Sequence, residues 1–370
     1  MDIHAYVVDH VDAPFRWEEL TVEEPGPGEA VVRIMATGLC HTDLNTQAGN
    51  MPLPLPGVLG HEGAGIVTQI GAGVENVAVG DHVVIGWPFC GKCRNCIRGE
   101  HRYCLHTGEL LTGGHRFEGP HAGESAYTRK DDSSVSGHFF GQSSFADYSL
   151  VTASQLVVVD ESVPLELVGP LACGITTGAG AVFNTANPGP GESMVVYGVG
   201  AVGLGAIMAA RNSAAATIIA VDLHDSRLEL AQRYGATHTI NSGKEDSLER
   251  IREITGGAAD YAIECTGVIA VLEEAIEAIG MLGTCILIGG APTDARFSAD
   301  HMRTLFGKRI VGTLGGSRTS QEMIPALLSL WKAGRFPFDE LVKTYPMAEI
   351  EQAIRDTHSG EVIKAVLTLD

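Results

Sequence analysis

Six short apolar runs have the character of buried strands: SMVVYG (193–198), ATIIAVD (216–222), ATHTIN (236–241), DYAIECTG (260–267), GTCILIGG (283–290) and KRIVGTLGG (308–316). Between most of them lie helical patterns, VGLGAIMAARNS, SRLELAQRYG, SLERIREITGG and VLEEAIEAIGML. A helix between two strands returns the chain to the end of the sheet where it started, so such strands run parallel. Residues 175–313 are therefore predicted to form a doubly wound α/β domain. Residues 1–174 read differently. Their short alternating runs, such as AVVRIMATG, GAGIVTQIG and DHVVIGW, are punctuated by Gly and Pro and predict an antiparallel, barrel-like β domain. Residues 314–370 return to mixed helix and strand, and the alternation in IKAVLTLD suits a strand that rejoins the first domain. Two domains are also what a chain of 370 residues leads one to expect, since a single core stops growing near that size.

The first strand of the parallel domain runs into VVYGVGAVG, which places Gly198, Gly200 and Gly203 in G-x-G-x-x-G spacing. That spacing alone is weak, because glycines also make ordinary tight turns. Here a strand precedes it, a helix follows, and a second strand ends in Asp222, 19 residues past Gly203. Glycines let a pyrophosphate approach the backbone and rest on the free N–H groups of the helix start. A carboxylate ending the second strand accepts from the adenosine ribose hydroxyls and repels a 2′-phosphate, which points to NAD rather than NADP. Arg227 lies close by, and a nearby arginine can instead accommodate that phosphate.

Eight cysteines are present, four of them in CGKCRNCIRGEHRYC: Cys90, Cys93, Cys96 and Cys104. Disulfides and an iron–sulfur cluster are the competing readings. The N-terminus lacks a basic-then-apolar leader pattern, which suggests a cytoplasmic setting that disfavours disulfides. An iron–sulfur cluster has no evident role beside a nicotinamide. Four closely spaced thiolates fit a closed tetrahedral Zn²⁺ site that holds a lobe folded. No apolar run is long enough to cross a bilayer. The formal charge of −20, from 25 basic and 45 acidic residues, argues against nucleic acid or an anionic membrane as a partner.

With these features in place, the chain resembles the zinc-dependent medium-chain alcohol dehydrogenases from end to end. The resemblance rests on GLCHTD, GHEGAGIV, the four-cysteine lobe, HFFGQSSFADY, LACGITTGAG, GVGAVG and SGEVIKAVLTL, in that order. It looks closest to the benzyl alcohol and geraniol dehydrogenase branch, where the residue after the first cysteine ligand is His, as His41 is here. The resemblance implies a GroES-like β-barrel catalytic domain over 1–174, completed by 314–370, and a Rossmann NAD-binding domain over 175–313. It also implies two Zn²⁺ per chain. Cys40, His61 and Cys173 match the protein ligands of a catalytic Zn²⁺, Glu62 a neighbouring carboxylate, and Asp43 the carboxylate that orients His61. Thr42 matches the hydroxyl that bonds the substrate oxygen. His41 and Lys364 match basic residues at the cofactor pyrophosphate, Thr177 and Val202 contacts to the nicotinamide, and Arg227 a contact to the adenosine ribose. Phe139 and Phe140 match positions lining the substrate pocket, and Trp87 is a further candidate. Cys265 and Cys285 match nothing and read as small core residues.

The implied activity is reversible oxidation of a primary alcohol, whether aryl, allylic or medium-chain, to its aldehyde with NAD⁺, by a homodimer or homotetramer. Two rival readings are a thiol-adduct formaldehyde dehydrogenase and a non-catalytic NAD- or zinc-binding regulator on the same fold. The proton's exit is open, because Asn45 stands where a relay histidine is usual. The stretch 105–137, too long for an ordinary connection, reads as a candidate functional loop. Its His115, Arg116, Arg129 and Lys130 could meet a carboxylate, or simply be a solvated charged surface.

Overall fold

A computed structural model describes residues 1–369, which fall into two compact units. The first comprises Met1–Cys173, Thr319–Pro325 and the segment from Asp339 on; the second comprises Gly174–Arg318 and Ala326–Phe338.

The first unit carries two sheets. One is built on the hairpin Asp2–Val8 with Arg16–Val22, extended by Gly57–Val58 on one side and by Tyr127–Thr128 and Ser134–Val135 on the other. The other is centred on the long strand Glu29–Gly38, which pairs antiparallel with Gly63–Ile70, Tyr148–Thr152 and the C-terminal Lys364–Thr368. Alternation places Val32, Ile34, Val67, Val83 and Ile85 in one buried cluster, so inward-facing apolar residues set the register. Short strands joined by glycine turns make this unit the barrel-like β domain that the Gly- and Pro-rich rhythm predicts.

In the second unit all six predicted apolar runs form strands of one parallel sheet. Its spatial order, counted by position in the chain, is 3-2-1-4-5-6, from His238–Asn241 at one edge to Arg309–Gly312 at the other. That order reverses beside the first strand, Ser193–Tyr197, and opens the crevice where doubly wound sheets take dinucleotides. The helix predicted over VLEEAIEAIGML stops at Ala278, and Ile279 already begins the next strand. Gly280 and Gly283 weaken a helix there, and Leu282 has φ of 64°, outside any right-handed helix.

The C-terminal return divides differently from a single cut at residue 314. Residues 314–318 pack with the second unit, where Asn184 Nδ2 donates to the Gly316 carbonyl at 2.7 Å and Gly180 lies against the Gly316 backbone. Residues 326–338 stay there too, tied by Asn212 Nδ2 to the Arg335 carbonyl at 2.9 Å. The 105–137 stretch is not featureless: it contains the helix Thr107–Thr112 and two short strands. Among the described residues no single helix is long and apolar enough to cross a membrane.

Candidate active site

The strand Glu29–Gly38 delivers Cys40 to the start of the helix His41–Gln47. Asp43, in the first turn of that helix, is fully buried and accepts three hydrogen bonds. They come from the Cys40 backbone N–H at 3.0 Å, the Gly60 N–H at 3.1 Å and His61 Nδ1 at 2.9 Å. One carboxylate thus caps the helix and turns the His61 ring so that Nε2 faces away from it. Nε2 is buried and meets no hydrogen-bond partner among the described residues. The donor atoms of Cys40, His61, Glu62 and Cys173 all lie within 4.8 Å of one another.

A hydrogen bond from Cys173 holds the Cys40 thiol well below its usual range despite burial, and Lys364 and His61 add to the effect. The same contact, together with burial, pushes Cys173 well above it. Two buried thiolates side by side are costly without a positive charge between them, and a thiolate–thiolate–imidazole set suits Zn²⁺ with a fourth position open. Burial raises Glu62 to about 7, while Lys364 pulls it back. Lys364 Nζ sits 2.6–2.7 Å from both Glu62 carboxylate oxygens and donates to the Leu39 carbonyl at 3.0 Å. The lysine expected at a pyrophosphate is therefore buried against the carboxylate of the metal-type cluster.

Thr42 places Oγ1 3.7 Å from Cys40 Sγ. His41 is exposed, with its ring centre 6.4 Å from that of His358. Asn45 is exposed on the same helix. Phe140 stacks on the His61 ring at 4.5 Å and 29°, Phe139 meets it edge-on at 5.6 Å, and Trp87 packs edge-on against Phe140 at 5.0 Å. The three aromatics form one wall against the histidine of the cluster. Gln142, not singled out from the sequence although it lies in HFFGQ, is fully buried and clamps the same stretch. Its Nε2 donates to the His61 carbonyl at 2.9 Å and its Oε1 accepts from Gly63 N–H at 2.9 Å.

The second cluster is the lobe Cys90, Cys93, Cys96 and Cys104, whose sulfurs also lie within 4.8 Å of one another. Two of the Sγ–Sγ pairs lie at 3.9 Å (Cys90–Cys96) and 4.0 Å (Cys93–Cys104). Tetrahedral Zn–S bonds of about 2.3 Å set sulfurs about 3.8 Å apart, so the lobe fits a closed four-thiolate Zn²⁺ site. Backbone N–H groups pull Cys93 down to about 6, whereas burial pushes Cys96 up to about 12. Cys265 and Cys285 stand apart from both clusters; Cys285 is buried in the core of the parallel domain, whereas Cys265 is only half-buried.

In the second unit, Gly198 has φ of 80°, and a Cβ on Gly203 would come within 2.0 Å of the Gly198 carbonyl oxygen. Gly200, which caps the helix Ala201–Arg211, is different: a Cβ there would meet no protein atom. Room kept free of side chain at a helix start fits a pyrophosphate. Asp222 Oδ2 accepts from Val199 N–H and Oδ1 from His224 N–H, both at 2.9 Å. Arg227 Nη1 lies 3.9 Å from Asp222, drawn onto the carboxylate. Thr177 lies on the helix Gly174–Gly180, which crosses Val202 so closely that Gly178 admits no side chain.

The two arginines of the long loop are committed within the fold, while Lys130 makes an exposed surface pair. Arg116 is buried between Glu23 (2.8 Å) and Glu29 (3.0 Å), Arg129 pairs with Asp9 and Glu18, and Lys130 pairs with Glu19.

A β domain carrying two zinc-type thiolate clusters, in one chain with a doubly wound sheet that carries a dinucleotide turn, defines a zinc- and NAD-using dehydrogenase. The chain belongs to the zinc-dependent medium-chain alcohol dehydrogenases and lies near their aryl-alcohol and geraniol branch. Residues 26–161 match the alcohol dehydrogenase GroES-like domain and residues 201–332 the zinc-binding dehydrogenase domain. A geraniol dehydrogenase of Castellaniella defragrans is 37% identical over 366 residues, 98% of this chain and 96% of that enzyme. The benzyl alcohol dehydrogenase structure from Acinetobacter calcoaceticus is 42% identical with a TM-score of 0.95, covering both chains fully. An S-(hydroxymethyl)glutathione dehydrogenase of Synechocystis is 35% identical, over 99% of this chain and all of that enzyme. Zinc-dependent alcohol oxidoreduction, with NAD and zinc as cofactors, is the chemistry of this chain.

Proposed function

We propose that the protein interconverts aryl or allylic primary alcohols, of the kind of benzyl alcohol and geraniol, with their aldehydes, using NAD⁺. The observation that carries this reading is the aromatic wall: Phe140 lies flat on His61, and Phe139 and Trp87 close around it. Planar apolar substrates gain from aromatic contact, while a short aliphatic alcohol leaves such a wall unused. The names of the geraniol and benzyl alcohol relatives support the same class.

Cys40, His61 and Cys173 would hold the catalytic Zn²⁺, and the four-cysteine lobe the structural one. When bound, zinc lends Lewis acidity to the alcohol oxygen, and NAD⁺ takes the hydride. Asp43 keeps the His61 ring aimed and in the Nδ1–H tautomer. The Thr42 hydroxyl, beside Cys40, would accept the alcohol proton while releasing its own to exposed His41 or to solvent. Lys364 holds Glu62 in place behind the ligands. Gly198, Gly200 and Gly203 admit the pyrophosphate, Thr177 and Val202 flank the nicotinamide, and Asp222 with Arg227 receives the ribose and favours NAD⁺ over NADP⁺.

The glutathione-adduct reading has one support, the relatives named for it. Against it, the two arginines of the loop, Arg116 and Arg129, are each held between two carboxylates. A homo-oligomer is supported by the edge strand Arg309–Gly312 and its exposed apolar neighbours Met281, Leu282, Leu305 and Phe306.

The test is NADH formation by zinc-loaded protein with benzyl alcohol, geraniol, hexanol, ethanol and formaldehyde plus glutathione, each with NAD⁺ and NADP⁺. The reading expects the highest kcat/KM with benzyl alcohol or geraniol and NAD⁺. Highest activity with the glutathione adduct, or with ethanol, would overturn it.

A further inference from the structure

Arg102 joins the four-cysteine lobe to the aromatic wall. It sits on the turn His101–Tyr103, two residues before Cys104, and its side chain is buried. Its Nη2 donates to Ser320 Oγ at 2.9 Å, and its guanidinium carbon lies 5.0 Å from the centre of the Trp87 ring. An arginine guanidinium is a permanent cation at physiological pH. Ser320 also presses on Gly86, the residue before Trp87, where a Cβ would come within 2.4 Å of its hydroxyl. Arg102, Ser320 and the Gly86–Trp87 backbone are therefore one packed group.

Trp87 meets Phe140 edge-on, and Phe140 covers the His61 imidazole. The Phe140 backbone is left-handed, with φ of 51°, as is that of Ser143 at 52°. Residues other than glycine stay in that region only where the surroundings hold them. The ring lying on the metal-type histidine packs against Phe139 and Trp87, and Trp87 against the guanidinium of a residue two positions before Cys104.

We propose that Arg102 is a positioning residue that transmits the fold of the four-cysteine lobe, through Trp87 and Phe140, to His61. An arginine suits the task because its planar guanidinium stacks on an indole and still donates in-plane, which a lysine does less well. The lobe then does more than fold itself: it sets the wall and the tilt of a catalytic ligand. This rests on the reading of Cys40, His61 and Cys173 as the catalytic ligand set. A metal-centred spectrum tests it without reference to any alcohol.

The experiment compares wild type with Arg102→Met, Arg102→Lys and Ser320→Ala, each carrying zinc in the lobe and cobalt(II) at the second site. The readouts are metal content, the visible d–d absorption of the cobalt, and kcat and KM for benzyl alcohol against ethanol. Arg102→Met is expected to keep both metals and shift the cobalt bands. It should also lower kcat/KM for benzyl alcohol about tenfold relative to ethanol. Lysine restores part of each effect, and Ser320→Ala moves both the same way by less. Shifted bands with neither alcohol turned over would uphold the coupling and sink the alcohol reading. Wild-type bands and kinetics in both Arg102→Met and Ser320→Ala would overturn the proposal. So would an Arg102→Met that fails to fold beside a Ser320→Ala indistinguishable from wild type.

Discussion

Replacing Asp43 with Asn changes one atom and isolates the carboxylate that organises the ligand set. Asp43 accepts three bonds, from Cys40 N–H through Oδ2 and from Gly60 N–H and His61 Nδ1 through Oδ1, in a site without solvent exposure. An asparagine has one acceptor oxygen. In its better orientation that oxygen keeps Gly60 and His61, and the new NH₂ opposes the Cys40 N–H. A buried donor left unpaired costs about 1–3 kcal/mol, and the two remaining bonds lose their charge assistance, so the fold should lose about 2–4 kcal/mol. In the other orientation His61 faces a donor and must change tautomer, which removes Nε2 from the metal-binding state. Zinc affinity at Cys40–His61–Cys173 should fall about 10–100-fold, or about 1.4–2.7 kcal/mol, while the lobe keeps its metal. Competition with a chelator, read as zinc released per chain, measures the loss of affinity, and thermal unfolding the loss of stability. If Asp43→Asn bound both zinc ions as tightly as wild type and melted at the same temperature, the argument from Asp43 would be wrong.

Other outcomes follow from single side chains. Gly200→Ala should fold like wild type, because its Cβ meets no protein atom, yet raise KM for NAD⁺ without changing KM for the alcohol; equal effects on both would refute the pyrophosphate role. Gly203→Ala, whose Cβ would press on the Gly198 carbonyl, should lower the melting temperature as well. His138 is buried and its pKa is lowered by burial to about 3 from 6.5. The unfolded chain therefore binds a proton below pH 6.5 that the folded one refuses until about pH 3. Stability is lost as pH falls through that window, by at most about 5 kcal/mol. His138→Asn, which tolerates the left-handed backbone, should flatten acid unfolding measured by denaturant titration from pH 7 to 4; an unchanged slope would count against it. Cys104→Ser should cost one zinc per chain and lower the melting temperature, and retention of both would contradict the lobe assignment.

The parts of the fold legible in the sequence were those carried by local pattern. Apolar runs separated by helical periodicity are sufficient for the parallel sheet, and the close spacing of Cys90, Cys93, Cys96 and Cys104 brings them together whatever else the chain does. What stayed hidden depends on distant partners. Lys364 finds Glu62 across 302 positions and Arg102 finds Ser320 across 218, pairings that no local window displays. The loop after Leu105 looked unstructured because its anchors, Asp9, Glu18, Glu23 and Glu29, lie in the first strands and turns of the chain. The end of VLEEAIEAIGML went to strand because pairing in the sheet outweighed helix propensity at Ile279. Cys40, His61 and Cys173 are individually unremarkable in sequence; their meaning came from resemblance, and the structure brings their donor atoms within one small sphere.

The most direct test of the account is anomalous X-ray diffraction at the zinc edge from crystals of the zinc-loaded protein. The account predicts two peaks per chain, one enclosed by Cys90, Cys93, Cys96 and Cys104, the other bonded to Cys40 Sγ, His61 Nε2 and Cys173 Sγ with one position open. A single peak in the lobe, or a second peak away from those three atoms, would contradict it.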